Sequence, residues 1–214
     1  MDRRSYTPLD HLIATFDQAL RTVFGQPQIT GRPNPADTLA EPELTHAERV
    51  ESGRLMRVNH AGEVCAQALY QGQALTARHQ KVRDSMQQAA REENDHLDWC
   101  DRRIRDLDSH RSYLNPAWYA GSFALGALAG AIGDKWSLGY VAETERQVVD
   151  HIDAHLNRLP EADSKSRAIL EQMKEDEGRH GTMALAAGGT QLPRLVTHLM
   201  RLGSRLMTGT TYWI

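Results

Sequence analysis

The sequence is poor in cysteine. Only Cys65 and Cys100 occur among 214 residues, in no CxxC pair and with no partner set for a zinc or iron–sulfur site. Each fits a helix face among small and apolar residues and reads as a reduced core thiol, consistent with a reducing cytoplasm. Excess charge is also missing: the formal balance is -3 with a pI near 6.4. No basic block with interleaved aromatics occurs, which removes any global attraction for nucleic acid. There is no GxGxxG and no Walker loop, so the chain houses no nicotinamide, flavin or iron–sulfur centre of its own. The N-terminus mixes Asp2, Asp10 and Asp17 with its basic residues and has no uninterrupted apolar stretch. It therefore resembles neither a secretory signal nor an organelle transit peptide.

With 40% apolar residues, the chain can build one sizeable core. Leu9, Leu12, Ile13, Phe16, Leu20, Val23 and Phe24 give residues 8–24 the period of a short amphipathic helix, and GQPQITGRPNPAD then breaks it. Thr45-His46-Ala47-Glu48 has the spacing of a capping box, so a long helix starts there and runs to the high 70s. Further amphipathic stripes predict helices over about 81–108, 136–159 and 164–187, the last stopped by Gly188-Gly189. The second stripe runs through Val82, Met86, Ala89, Ala90, Leu97, Cys100, Ile104 and Leu107. With no strand-like alternation, the expected fold is an all-α antiparallel four-helix bundle. Residues 1–44 would be an N-terminal helix and linker, and 45–214 the bundle domain.

Acidic residues interrupt these stripes where apolar ones belong. In RVNHAGEVCAQALY, Leu55, Gly62, Ala66, Leu69 and Tyr70 fall on one side of the helix, and Glu63 falls among them. The second helix adds Glu93 and His96, the third Glu145, and the fourth Glu177 and His180. The pattern is Glu followed by Glu-x-x-His, given twice. Glu63 and Glu93 are 30 residues apart and Glu145 and Glu177 are 32 apart, as expected for a duplicated hairpin. Positions i and i+3 share a helix face, so each Glu-x-x-His points both side chains at one place in the core.

Energetics narrow the meaning. An unpaired buried carboxylate costs several kcal/mol, and four would exceed the roughly 5–15 kcal/mol of net stability that a domain possesses. Two divalent cations balance them, and oxygen and nitrogen donors without thiolate suit iron or manganese; the pattern is that of the di-iron carboxylate site of ferritin-like bundles. One Glu-x-x-His alone is common on solvated helices, but two at matched spacing are not. Glu92, Glu143, Glu171 and Glu175 fall off the stripes and read as surface charge. His60 reads as solvated in preference to supporting a ligand. Asn59, on the face of Glu63, could hydrogen-bond a ligand, and the roles of His151 and His155 stay open.

Ser112 to Gly133 contains no charged residue and approaches the length that spans a bilayer, but its glycines dilute its apolar surface. A single crossing would put the two hairpins on opposite sides of the membrane, unable to share a metal site. The segment therefore reads as the long crossover of the bundle, with contact at a membrane surface left open. Beyond Glu177 no acidic side chain occurs, while Arg179, Arg194, Arg201 and Arg205 remain. LPRLVTHLMRLGSRLM makes a basic amphipathic helix that suits an anionic lipid surface, with docking on the bundle or an oligomer interface as the alternative.

RVNHAGEVCAQALYQGQ, EENDHL, VAETERQVVDH and DEGRHG together resemble the demethoxyubiquinone hydroxylases of ubiquinone biosynthesis, from about Leu55 to the C-terminus. The resemblance implies a ferritin-like, membrane-associated di-iron monooxygenase that hydroxylates the ring of a polyprenyl demethoxyubiquinol with O2. It implies that Glu63 and His96 complete one iron, Glu145 and His180 the other, and that Glu93 and Glu177 bridge both. Electrons would come from outside, from NADH or from the quinol itself. It further implies a peripheral place on the cytoplasmic face of a bacterial-type inner membrane, no nucleic-acid partner, and room for a homo-oligomer or a ubiquinone-biosynthesis complex. An iron-storage or peroxidase protein of the same fold is the alternative.

Overall fold

In the computed structural model, which describes residues 7–214, local chemistry sets where helices begin. Thr7 opens α1 (Pro8–Phe24) and Thr45 opens α2 (His46–Thr76), each through a capping box. Thr45 Oγ1 accepts from the Glu48 amide at 3.3 Å while Glu48 Oε2 accepts from the Thr45 amide at 2.9 Å, satisfying two donors that a helix start leaves free. Asp2, and the side chains of Leu9 and Leu12 in the α1 stripe, lie outside the described residues.

Then follow α3 (Gln80–Asp106), α4 (Asn115–Ile132), α5 (Asp134–Leu156), α6 (Ser164–Ala186) and α7 (Arg194–Thr211). No strand occurs among the described residues. Helices α2 with α3 and α5 with α6 form two antiparallel hairpins, and α3 packs on α6 and α2 on α5. This is the expected ferritin-like four-helix bundle. Asp134 accepts from the amides of Arg78 and His79 at 2.9 and 2.8 Å, tying the α2–α3 turn to the start of α5.

The uncharged crossover lies where the sequence places it, between α3 and α5. It is a helix, α4, laid along α2 in a seam made close by glycine. A Cβ on Gly126 would lie 2.2 Å from the Leu69 carbonyl oxygen, and one on Gly72 would lie 2.2 Å from that of Phe123. The glycines that dilute the apolar surface are thus what lets two backbones meet. With α4 on its back, α2 is no half-exposed stripe. From Leu55 to Gln73 every residue but Gly62 and Cys65 is buried, so the apolar face expected to include Gly62 is instead a helix enclosed on nearly all sides.

The core has layers along the bundle axis. Leu55, Met56, Trp99, Ile104, Ile152, Ile169 and Met173 pack in one apolar cluster, and Ala66, Tyr70, Met86, Ala90, Leu138, Val141 and Ala184 in another. On every helix the sequence positions of Glu63, Glu93, Glu145 and Glu177 fall between these two sets. The interrupted stripes therefore form a single polar layer between apolar ones.

No described helix is long and apolar enough to cross a membrane. On α7, Leu195, Leu199, Leu202 and Leu206 are exposed. Docking of that face on the bundle, one of the readings of the basic helix, is therefore not what forms. Ile13, Phe16, Leu20 and Phe24 on α1, and Leu125, Leu128 and Ile132 on α4, are likewise exposed.

Candidate metal centre

All six residues expected to carry the chemistry are buried in the polar layer. Their helical spacing does this locally: one turn of α3 turns Glu93 and His96 inward, and one turn of α6 does the same for Glu177 and His180. Glu63, Glu93, His96 and Glu177 each bring a ligand-type atom within 4.8 Å of the others.

Glu93 and Glu177 both reach the two imidazoles, one oxygen to each. Glu93 places Oε2 3.1 Å from His96 Nδ1 and Oε1 3.2 Å from His180 Nδ1. Glu177 places Oε1 3.1 Å from His96 Nδ1 and Oε2 3.3 Å from His180 Nδ1. Glu63 Oε2 is 3.6 Å from His96 Nδ1. Glu145 differs, because its Oε1 accepts a hydrogen bond from the buried Tyr70 hydroxyl.

Each histidine turns its outer nitrogen to another acid. His96 Nε2 donates to Asp176 Oδ2 at 3.0 Å and His180 Nε2 to Glu92 Oε2 at 2.8 Å. With Nε2 so engaged, Nδ1 is the nitrogen left to face the carboxylates, an arrangement that fixes ring orientation and raises ligand basicity.

The electrostatics show what the layer needs. Burial pushes the carboxyls of Glu63 and Glu145 well above the usual range, and the charges of Glu177 and Glu93 push Glu145 further. Burial disfavours charge on the imidazoles as well. The neighbouring carboxylates outweigh it, led by the Glu93 charge at His96 and by the hydrogen bonds that His180 donates to Glu177 and Glu93, so that His180 rises to about 12. Even so, Glu63 Oε2, Glu93 Oε1, Glu145 Oε2 and Glu177 Oε1 are buried and accept no well-formed hydrogen bond. Glu63 Oε2 and Glu145 Oε2 are the barest, while Glu93 Oε1 and Glu177 Oε1 have only the imidazole Nδ1 atoms facing them. Such buried carboxylate oxygens, one from each acid, are the donor set of a cation site, and with two imidazole nitrogens they fit iron.

Residues 50–211 match the family model described as Ubiquinone biosynthesis protein COQ7. The 3-demethoxyubiquinol 3-hydroxylase of Nitrosococcus oceani is 61% identical over 214 residues, covering 100% of both chains. Proteins of that name from Nitrosospira multiformis and Acinetobacter baumannii are 58% and 56% identical, over 96% and 99% of this chain and 99% and 100% of their own. The chain belongs to the COQ7 family.

In this COQ7-family chain several expected supporting roles fall elsewhere. His60 is not solvated: it is 2% exposed, and burial, followed by the Arg111 charge, lowers it to about 4. Asn59 does not reach a ligand. Its Nδ2 donates to the Leu55 carbonyl at 2.9 Å and meets His155 Nδ1 at 2.9 Å, because it sits one turn below Glu63, inside the adjoining apolar layer. His151 packs against His155 with ring centroids 3.9 Å apart and planes tilted by 58°. Glu171 and Glu175 are exposed and Glu143 pairs with Arg146 at 2.7 Å, as surface charges do. Glu92 is the exception among the acids read as surface charge, since it is the partner of His180. Sequence reasoning also missed Asp176 and the hydrogen bond of Tyr70. A signal for two of them was present: in Glu92-Glu93 and Asp176-Glu177, each Glu-x-x-His is preceded by a second acid, turned about 100° round the helix toward the neighbouring one.

Proposed function

We propose that the protein is a 3-demethoxyubiquinol 3-hydroxylase, with a pair of iron ions held by Glu63, Glu93, His96, Glu145, Glu177 and His180. The observation that carries this is the set of four buried carboxylate oxygens without a well-formed hydrogen bond, gathered with two imidazoles on one layer, in a chain 61% identical along its whole length to a protein of that name. Glu63 with His96 would complete one metal and Glu145 with His180 the other. The oxygens of Glu93 and Glu177, divided between the two imidazoles, suit a bridging role. When bound, iron would supply the reductive activation of O2.

The chain's own residues do the rest. Asp176 and Glu92 hold the imidazole rings, Tyr70 holds one oxygen of Glu145, and the apolar layers above and below keep bulk water from the carboxylates. In the net reaction one oxygen atom enters a ring C–H bond of the quinol, giving C–OH, and the other leaves as water. Two electrons come from an external donor, and two protons enter with them to form that water.

The exposed apolar faces of α1, α4 and α7, with Arg194, Arg201 and Arg205 exposed on α7, support peripheral contact with an anionic lipid surface. A polyprenyl substrate dissolved in the bilayer would reach the protein there, on the cytoplasmic face of an inner membrane.

The test is the quinone profile of cells lacking the protein together with turnover by the iron-loaded chain. A demethoxyquinone should accumulate in the cells, and the purified protein should convert demethoxyubiquinol to the hydroxylated product. An unchanged quinone pool, or iron uptake without product, contradicts the proposal and favours storage.

A further inference from the structure

The segment between α1 and α2 contains three prolines and two glycines within GQPQITGRPNPAD, the composition of a passive linker. Yet it is stapled to the helices that carry the metal layer. Asn94 Nδ2 donates to the Gln28 carbonyl at 3.0 Å, and the Thr30 amide donates to Asp95 Oδ1 at 2.8 Å. Arg32 Nη2 donates to Asp176 Oδ2 at 2.7 Å, on the oxygen that accepts from His96 Nε2. The Arg32 guanidinium also lies 5.1 Å from the centroid of Trp99, whose ring is 5.3 Å from that of His96.

We propose that this strap is a working part of the metal centre and that Arg32 is a positioning residue, holding Asp176 so that the ring of His96 keeps Nδ1 turned to the carboxylates. Asp176 is wholly buried, and a buried carboxylate keeps one orientation only where charged donors hold it. Arg179 and Gln172 reach its other oxygen, at 3.1 and 3.3 Å. Among the described residues, Arg32 alone shares Oδ2 with His96. A planar guanidinium can bond the carboxylate edge-on while its face lies on an indole, which an ammonium cannot do. The other half of the layer has a looser and more exposed counterpart: Arg179 donates at 3.3 Å to Glu92 Oε2, the oxygen that accepts from His180 Nε2, but the Glu92 and Arg179 side chains are 23% and 52% exposed. Arg32 also lies outside residues 50–211, the span of the family match. The inference rests on reading the layer as a metal centre.

The experiment uses the full chain with Co(II) and Fe(II) as probes. Affinity is read by chelator competition, ligand geometry by the visible spectrum of bound Co(II), and folding by the melting midpoint of the metal-free protein. Arg32→Ala should weaken one of the two metals about tenfold and change the Co(II) spectrum, with the metal-free midpoint little changed. Arg32→Lys should restore part of the affinity. Thr30→Val removes a side-chain staple to Asp95 and leaves Arg32 on Asp176, so it should keep the wild-type spectrum. If the alanine variant does not fold, Arg32→Gln takes its place with the same expectation. Wild-type affinity and spectrum in the Arg32 variants, or an equal loss in Thr30→Val, would overturn the positioning role of Arg32 alone. A wild-type chain that takes up no metal overturns the metal reading with it.

Discussion

Among the described residues, five histidines lie in or against the bundle interior, in two settings. His60, His151 and His155 are surrounded mainly by neutral groups and arginines, and burial drives them down, to about 4, 4 and 2. His96 and His180 are buried too but are driven up, because carboxylates of Glu93 and Glu177 face them. Burial alone makes a neutral imidazole. A buried imidazole that holds positive charge marks a place where the protein has gathered more negative charge than it can balance, and there a metal ion is at home.

Removing the acids should erase that difference. Glu177→Ala takes one oxygen from each imidazole at once, so both irons and all product formation should be lost while circular dichroism stays helical. Full activity in that variant would contradict the ligand assignment. Glu92→Gln leaves the inner ligands in place but weakens the acceptor of His180 Nε2. Its expected cost is about tenfold in metal affinity by chelator competition, at the mild end for such partners.

The raised imidazoles carry a pH dependence of one sign. In the metal-free protein His96 and His180 are protonated, and binding a metal at Nδ1 must displace that proton. Metal affinity should therefore climb as pH rises from about 6 to 8, by up to about tenfold per pH unit for each proton displaced. Calorimetry in two buffers of different ionisation enthalpy counts those protons. The lowered histidines make folding stability climb with pH as well. Below about pH 6.5 the unfolded chain binds protons that folded His60 and His155 refuse, so their contribution to stability is lost as pH falls toward about 4 for His60 and about 2 for His155. Denaturant titrations should show this acid loss, and His155→Gln should flatten it by about 1 kcal/mol per pH unit.

Much of the bundle and its polar layer is legible in the amino-acid sequence. The capping box at Thr45, the four stripes and the six inward residues follow from period and spacing, since positions i and i+3 on a helix need no tertiary knowledge to share a face. What is not legible depends on which helix lies next to which. Asp176 is off the α6 stripe and is buried because the strap and α3 close over it. Glu92 matters because α6 brings His180 to it. The enclosure of α2 needs α4 on its back, and the small Gly72 and Gly126 that permit it read in sequence only as a loss of apolar surface.

Iron counting with Mössbauer spectroscopy on the purified full-length chain tests the two-metal layer most directly. The proposed six-residue site predicts about two iron ions per chain, present as a magnetically coupled pair. A single uncoupled iron, or a large iron core of storage type, would contradict it.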